Sequence, residues 1–516
     1  MRIARHLVLV IMGLLVGVSS YSQHWLGLSS SNYAGTNALY LNPAHAADSR
    51  HKLYINLIGN DFFLINNYLR FDAPYSFLGL ITNTVPKKYR SERGLIIWRE
   101  SYYAERLNGK PKHLHTGGDL RGPSFLYSFN NNRFAIGLTS RGRYYLNATN
   151  VSEETARVIR YGTKFVELQE KLFTNQSALV SINGLIELGA TFGAVIKDEN
   201  EYFLKVGGTV KRLVGVYNLH TDLKNTNYEV LVDDLNPNQQ FILARQLEIL
   251  YGYTSEGAYS NISPSPSFLF GKKSAGGGWG LDLGIVYEFR PDYRKFKSYV
   301  PRRGRESDFH NNKYKIRISA ALNDVGAVRY RNPDYIREVA VDTTTLNLTA
   351  RDFGNIKGTE GLFVAINRNL NVRPADNPRP FTVGLPTSAN VSVDYHIQDN
   401  WYVNGLWVQG LRGSNNLHIK TQSVLAVTPR YETRWFEVAT PLAMIDNYRV
   451  FTVGLAARVG PLVLGTDHLG GLLDIGKPQG LDFYFSLNVP ILYSKPKEVT
   501  QCFDPSPKKR LFKKNK

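Results

Sequence analysis

Only one cysteine, Cys502, occurs in 516 residues. A lone thiol excludes an internal disulfide and any zinc site built on cysteines. Long apolar runs are missing as well. Leu7 to Val18 falls short of the roughly 20 residues a membrane helix needs, and no later stretch approaches that length. Mean hydropathy is −0.26. No glycine-rich phosphate loop opens a helix, and there is no His-Glu-x-x-His or acidic calcium loop. The sequence therefore offers no catalytic, cofactor or metal site, and a non-enzyme is expected. Acidic residues are the scarcer charge, 43 against 62 Lys and Arg, for a net +19. If this chain enters a membrane, it does so as strands.

What is present begins with an export signal. Arg2 and Arg5 precede the apolar run, and Ser20-Tyr21-Ser22 is a small-residue cleavage site, so residues 1–22 read as a removable signal peptide. In an exported chain, the basic excess points away from nucleic acid and toward outer-membrane lipid, lipopolysaccharide phosphates or an acidic periplasmic protein. Basic runs lie at Lys87 to Arg106, Arg294 to Arg305 and Lys508 to Lys516.

The clearest pattern is two-residue alternation. In Gly480 to Leu492 the residues Leu481, Phe483, Phe485, Leu487 and Val489 alternate with Asp482, Tyr484, Ser486 and Asn488. A strand sends successive side chains to opposite faces, so one face is apolar and the other polar. The device recurs from Leu53 onward, and most cleanly in Trp279 to Phe289. It predicts an all-β transmembrane antiparallel barrel of about 14 strands over residues 51–492. An N-terminal plug segment (23–50), long and partly helical extracellular loops, and a basic periplasmic tail (493–516) complete the expected organisation.

Asn130 to Arg133 and Asp198 to Asn200 read as hairpin turns. Helices are expected in Ser152 to Thr174, with Ser152 as cap, and over Gln239 to Leu250. The stretches Asp72 to Gly122, Asp222 to Gly278 and Arg331 to Asn377 read as insertions between strands. A bend is expected at Asn323-Asp324-Val325-Gly326. An even strand count puts both termini on the periplasmic side; the long Pro291 to Asn312 linker then falls at the short-turn end.

By strand phase, Arg141, Glu187, Lys205, Lys211, Asp282, Glu288, Lys315, Arg317, Asp394 and Asp482 face the lumen. They either line a conducting interior or pair across a filled one, since an unpaired buried charge is costly. Asp467-His468 has the composition of an acid–base pair, but neighbours on a strand point to opposite faces.

Three motifs carry a family resemblance. Asn42-Pro43-Ala44 resembles the element near the start of FadL-like fatty-acid transporters and of the type IX secretion-associated barrels PorV and PorP/SprF. The others are Asn323 to Gly326 with Val328-Arg329-Tyr330, and Thr428 to Glu437 continuing to Gly460-Pro461-Leu462 and Gly465-Thr466-Asp467. These are similar to an uncharacterised Bacteroidota outer-membrane barrel family, a domain of unknown function. The resemblance implies a FadL-like barrel with Asn42, Pro43 and Ala44 in its plug, located in a Gram-negative outer membrane. Some family members carry a peptidoglycan-binding domain after the barrel; here a short tail follows Leu492, so anchoring through such a domain is not expected. The functions left open are transport of small hydrophobic molecules and membership of an envelope or secretion assembly with periplasmic partners. The alternative from a different class is a secreted soluble β-sandwich binding polysaccharide.

Overall fold

The computed structural model describes residues 25–494, except 234–235, 261, 264, 271–272, 297, 301–304, 350–357, 374–378, 414–415 and 477. The expected signal peptide, Cys502 and nearly all of the basic tail lie outside the described residues.

Alternation of apolar and polar residues becomes one closed antiparallel sheet of 14 spanning strands. In chain order these are β1 (His51–Asn66), β2 (Lys112–Arg121, then Ser124–Phe129), β3 (Phe134–Val151), β4 (Leu172–Glu199) and β5 (Tyr202–Asp233). There follow β6 (Asn236–Thr254, then Gly276–Phe289), β7 (Ile316–Tyr330, then Ile336–Thr343 and Leu346–Thr349) and β8 (Phe381–Gly384, Ser388–Gln398). The rest are β9 (Trp401–Gly410), β10 (Val424–Glu432), β11 (Phe436–Ala439, Leu442–Ile445), β12 (Val450–Val453, Leu455–Val459), β13 (Leu462–Thr466) and β14 (Gly480–Leu492). Closure comes from β1, which pairs antiparallel with β14 on one side and β2 on the other. A closed sheet leaves no open edge around the wall.

The turns at one end are short because their residues accept left-handed backbone. Asn130, Asn131 and Asn132 sit at φ +48°, +54° and +64°, and Asn200 at +52°. The described C-terminal end and the 290–315 linker share this end. Long connections occupy the other. The 67–111 loop builds its own aromatic cluster around Phe71, Tyr75 and Tyr102. α1 (Phe77–Ile81) lies within it, and α2 (Glu153–Tyr161) lies in the next long loop. The Ser152 hydroxyl does not cap α2; it accepts from the Ser177 amide instead.

Several boundaries differ from the sequence reading. The second strand starts at Lys112, inside the stretch read as insertion, and breaks at Gly122-Pro123, where proline removes a ladder donor. Gln239 to Leu250 is strand, not helix. Its residues pair with Asp222 to Val232 on one side and Ala340 to Thr349 on the other. Sheet pairing on both sides overrides a local pattern that also fits a helix. With 28 and 32 residues, β4 and β5 rise past the barrel. Together with the upper parts of β6 and β7 they form a sheet-like wing. α3 (Pro266–Leu269) packs Phe268 on Val214 and Val216 of β5. α4 (Gly358–Asn369) stacks Phe363 on Tyr253 of the wing, with ring centroids 4.2 Å apart. α5 (Leu469–Leu473) follows the short strand β13.

Candidate functional site: an ion-paired lumen around the N-terminal segment

Residues 25–50 lie inside the barrel and are almost entirely buried. They form no strand. Two short 3-10 turns, Gly35–Tyr40 and Pro43–Ala46, carry them across the lumen.

The Asn-Pro-Ala element has a specific seat. The Asn42 carboxamide oxygen accepts from the Ala44 amide at 2.9 Å, capping the second turn, and Pro43 supplies its first residue. The Asn42 Nδ2 donates to the carbonyls of Ile285 (3.2 Å) and Ala320 (3.0 Å) on the wall. Approach this close needs a wall without side chains. Gly193, Gly207 and Gly284 are register neighbours on β4, β5 and β6. A Cβ on Gly207 would lie 2.4 Å from the Pro43 oxygen, and one on Gly284 2.0 Å from the Asn42 Oδ1.

The expected bend at Asn323-Asp324 is a β-bulge: two residues there stand opposite Asp282 alone, and Asp324 takes φ +56°. Both side chains therefore enter the lumen. Asn323 Nδ2 donates to the carbonyls of Tyr40 (3.0 Å) and Leu41 (2.8 Å). Asp324 meets Arg143 at 2.8 Å and Lys211 at 2.6 Å. Lys211 also holds Asp282 at 2.7 Å, and Arg141 bridges Asp119 (2.8 Å) and Glu187 (2.9 Å). Tyr40 is clamped between the guanidiniums of Arg121 and Arg141, at 4.5 and 4.4 Å from its ring.

A second group joins Arg317 to Asp394 (2.8 Å), Arg430 to Asp394 (2.7 Å) and Arg430 to Glu432 (2.9 Å). Arg317 also donates to Asn32. The third sits at the short-turn end. Asp48 binds Arg50 at 2.9 Å and Arg290 at 2.7 Å; Glu288 binds Arg290, and Lys205 donates to the Ala47 carbonyl at 2.8 Å. Burial pushes the Asp48 carboxyl up, but Arg50, Lys313 and Arg290 outweigh it and hold the group below the usual carboxylate range. A cavity of about 30 Å³ adjoins this group, lined by His45, Asp48, Lys205, Glu288 and Arg317 among others. Its size suits water and not an organic cargo.

Of the ten residues assigned to the lumen by phase, nine are buried and point inward. Lys315 does not. It precedes β7, where Lys313 and Tyr314 take the buried positions, and its amine caps the Ile397 carbonyl and lies over the Tyr395 ring. Among the described residues Asp482 faces in without a cation, and it accepts from the Asp467 amide. Asp467 and His468 fall beyond β13, so the opposite-face rule for strands does not apply; both are buried. Asp467 accepts from the Leu26 amide at 2.9 Å, and His468 Nδ1 accepts from Gly471 in α5. Asp324 escaped phase reading because the bulge resets the alternation; Arg143 has the same phase as Arg141 and was readable, and it ties Asp119 and Glu187 of the adjacent strands to Asp324. The adjacent polar pair Asn-Asp inside an alternating run is the signal that locates such a bulge.

Among the described residues no group of three His, Cys, Asp or Glu side chains could hold a metal ion, and no helix is long and apolar enough to cross a membrane. The latter says nothing of strands.

Comparison with solved structures finds similar chains of low identity. The toluene transporter TbuX of Ralstonia pickettii is 9% identical at TM-score 0.37, with 93% of this chain and 100% of that one covered. The toluene transporter TodX of Pseudomonas putida is 10% identical at TM-score 0.35, covering 91% and 96%. A Pseudomonas aeruginosa FadL homologue is 9% identical at TM-score 0.30, covering 92% and 99%. No curated protein matches in sequence. The model of a family of unknown function, DUF5723, matches residues 43–467, from the seated Pro43 to the Asp467 that holds Leu26, and the chain belongs to that family.

Proposed function

We propose that this protein is a non-enzymatic outer-membrane barrel of the transporter type, with residues 25–50 as a plug that holds the lumen closed. One observation carries the reading. The segment filling the lumen is bound by side chains, carbonyls and glycine contacts and by no strand pairing, so it can shift while the wall stays intact. The outward rows supply the membrane part: Leu283, Val210, Phe192, Val393 and Leu425 are all exposed. Exposed apolar rings of that extent need lipid. A soluble polysaccharide-binding sandwich would bury these faces against each other, and they are not buried. Small hydrophobic molecules are the cargo proposed here, in keeping with the Asn42-Pro43-Ala44 resemblance to FadL-like transporters, which by itself assigns no substrate.

A second reading, a component of an envelope assembly, is favoured by the wing, whose long hairpin exceeds what a membrane span requires. Purified protein in planar bilayers and liposomes tests the first. Deleting residues 25–47 should raise ion conductance and uptake of a small hydrophobic dye over the full chain. Equal closure in both would reject the plug role, and stable co-purification with other envelope proteins would then support assembly.

A further inference from the structure

The outer face of the β5–β8 wall carries a cationic patch unrelated to the lumen. Arg212, Trp279, Ala327 and Gly384 are successive register neighbours on β5, β6, β7 and β8. Trp279 is 60% exposed, and Leu281, Leu283 and Ile285 continue the outward row toward the short-turn end. The Trp279 level therefore marks the edge of the apolar band nearest the long loops.

Three arginines share this level of the outer face. The Arg212 guanidinium lies over Gly277, where a Cβ would meet its Nη2 at 2.9 Å. Arg329 stands directly opposite Gly277 in the β6–β7 register and is exposed. Arg412 covers the outside of Gly384, where a Cβ would meet its Cζ at 2.8 Å. Their hydrogen bonds go to neutral carbonyls: Arg212 to Leu269 and Gly278, Arg412 to Leu385 and Gly326. Among the described residues none of the three has a carboxylate partner, in contrast to Arg141, Arg143 and Arg430 inside. Trp279 and Phe270 flank Arg212 at 5.6 and 5.8 Å.

Like charges gathered on a glycine-flattened wall repel one another unless a counter-charge sits among them. Guanidinium forks suit the oxygens of a phosphate, and aromatic residues beside them suit the headgroup level of a bilayer. We propose that Arg212, Arg329 and Arg412 bind the phosphate of an outer-leaflet lipid headgroup, whose acyl chains run down the Leu281–Ile285 row. The proposal rests on the outer-membrane reading above.

The test uses the full chain in mild detergent, with native mass spectrometry against a diphosphorylated glucosamine-disaccharide lipid and its dephosphorylated form. Wild type should prefer the phosphorylated lipid by at least about tenfold, the scale of one or two charge-assisted hydrogen bonds. The variant R212Q/R329Q/R412Q should lose that preference, while R245Q on the wing should keep it. If the triple variant does not fold, R329Q alone still tests the site, because among the described residues no hydrogen bond of that side chain supports the wall. Equal binding of both lipids by wild type, or an unchanged preference in the variants, overturns the proposal. So does binding of inorganic phosphate as tight as that of the lipid, which would mark a free-anion site. Gel migration that differs between boiled and unboiled wild type reports the barrel itself, so a failed membrane reading is told apart from a failed lipid site.

Discussion

The N-terminal segment is held at two places that differ in kind. Around Asn42–Ala47 it lies on the tall wall, β4 to β6, through glycines and backbone carbonyls. Around Trp25–Leu28 it lies on the short wall, β11 to β14, through side chains. There Trp25 stacks on Tyr484 with centroids 4.9 Å apart and packs with Ala439 and Ala456, and its indole also donates to Asp61 of the adjoining β1 at 2.6 Å. The tall wall is continuous, with pairing unbroken from Gly276 to Gly215 and on to Phe289 and Tyr202. The short wall is cut at Thr440-Pro441 and Gly454, leaving strand pieces of four or five residues. A seat made of absent side chains tolerates no addition. One made of hydrogen bonds can lose a bond and re-form.

The largest effect therefore belongs to the glycine seat. Gly207→Val should displace Asn42–Ala47 altogether, because its Cβ alone would sit 2.4 Å from the Pro43 oxygen and backbone has nowhere to go. Protease sensitivity of the segment in purified barrels should rise to that of a chain with no seat at all. A protected segment in G207V would show that the wall yields. Next comes the end beyond the seat. Asp48→Asn removes one charge from the Arg50–Arg290 group, and breaking such a buried pair costs about 3–5 kcal/mol. Because the folded Asp48 carboxyl is held below its ordinary value, its stabilisation is present above the unfolded carboxylate pKa of about 3.9 and fades as pH falls through the folded value. Hydrogen exchange in the segment should differ between wild type and D48N near neutral pH and converge in strong acid.

Leu283→Arg probes the same wall from outside. A charge on the lipid face near midplane costs about 2–4 kcal/mol, whereas Asp282→Arg enters a lumen already rich in charge. Folding yield into lipid vesicles should fall more for L283R; the reverse order would invert the assignment of faces.

How much of this was legible beforehand follows from where the information sits. The alternation in Trp279 to Phe289 and Gly480 to Leu492 is local, so the faces and the closed barrel could be read from it. Phase also carries information about burial: the charges it assigns inward are buried, except Lys315, which precedes its strand, where no alternation applies. Residues 239–250 fit a helix locally and are strand because two partners flank them, Asp222 to Val232 and the distant Ala340 to Thr349. Asp324 falls out of phase for a related reason: the Asn323-Asp324 pair marks a bend in the sequence, but that the bend is a bulge turning both side chains inward shows only in the pairing with Asp282. The glycine seat was invisible, since three glycines on three strands form a surface only after pairing.

The smallest expected effect tests the side-chain end. Asp467→Ala leaves the Leu26 amide without its 2.9 Å acceptor and removes the partner of the Tyr484 hydroxyl at 3.3 Å. An unsatisfied buried donor costs about 1–3 kcal/mol. Trp25 still keeps its bond to Asp61, its stack on Tyr484 and the Arg121 guanidinium 4.0 Å from its ring. Loosening should thus be confined to Trp25–Leu28, while Asn42–Ala47 stays on its glycines. Exchange rates at the Leu26 and Leu28 amides should rise in D467A, and those at Ala44 and Ala46 should not. Were both ends to loosen together, the segment would be one cooperative unit and the contrast between the two walls would have no consequence. Were neither to change, the stacked indole would be sufficient to hold the short-wall end, and Asp61 would be the residue to alter next.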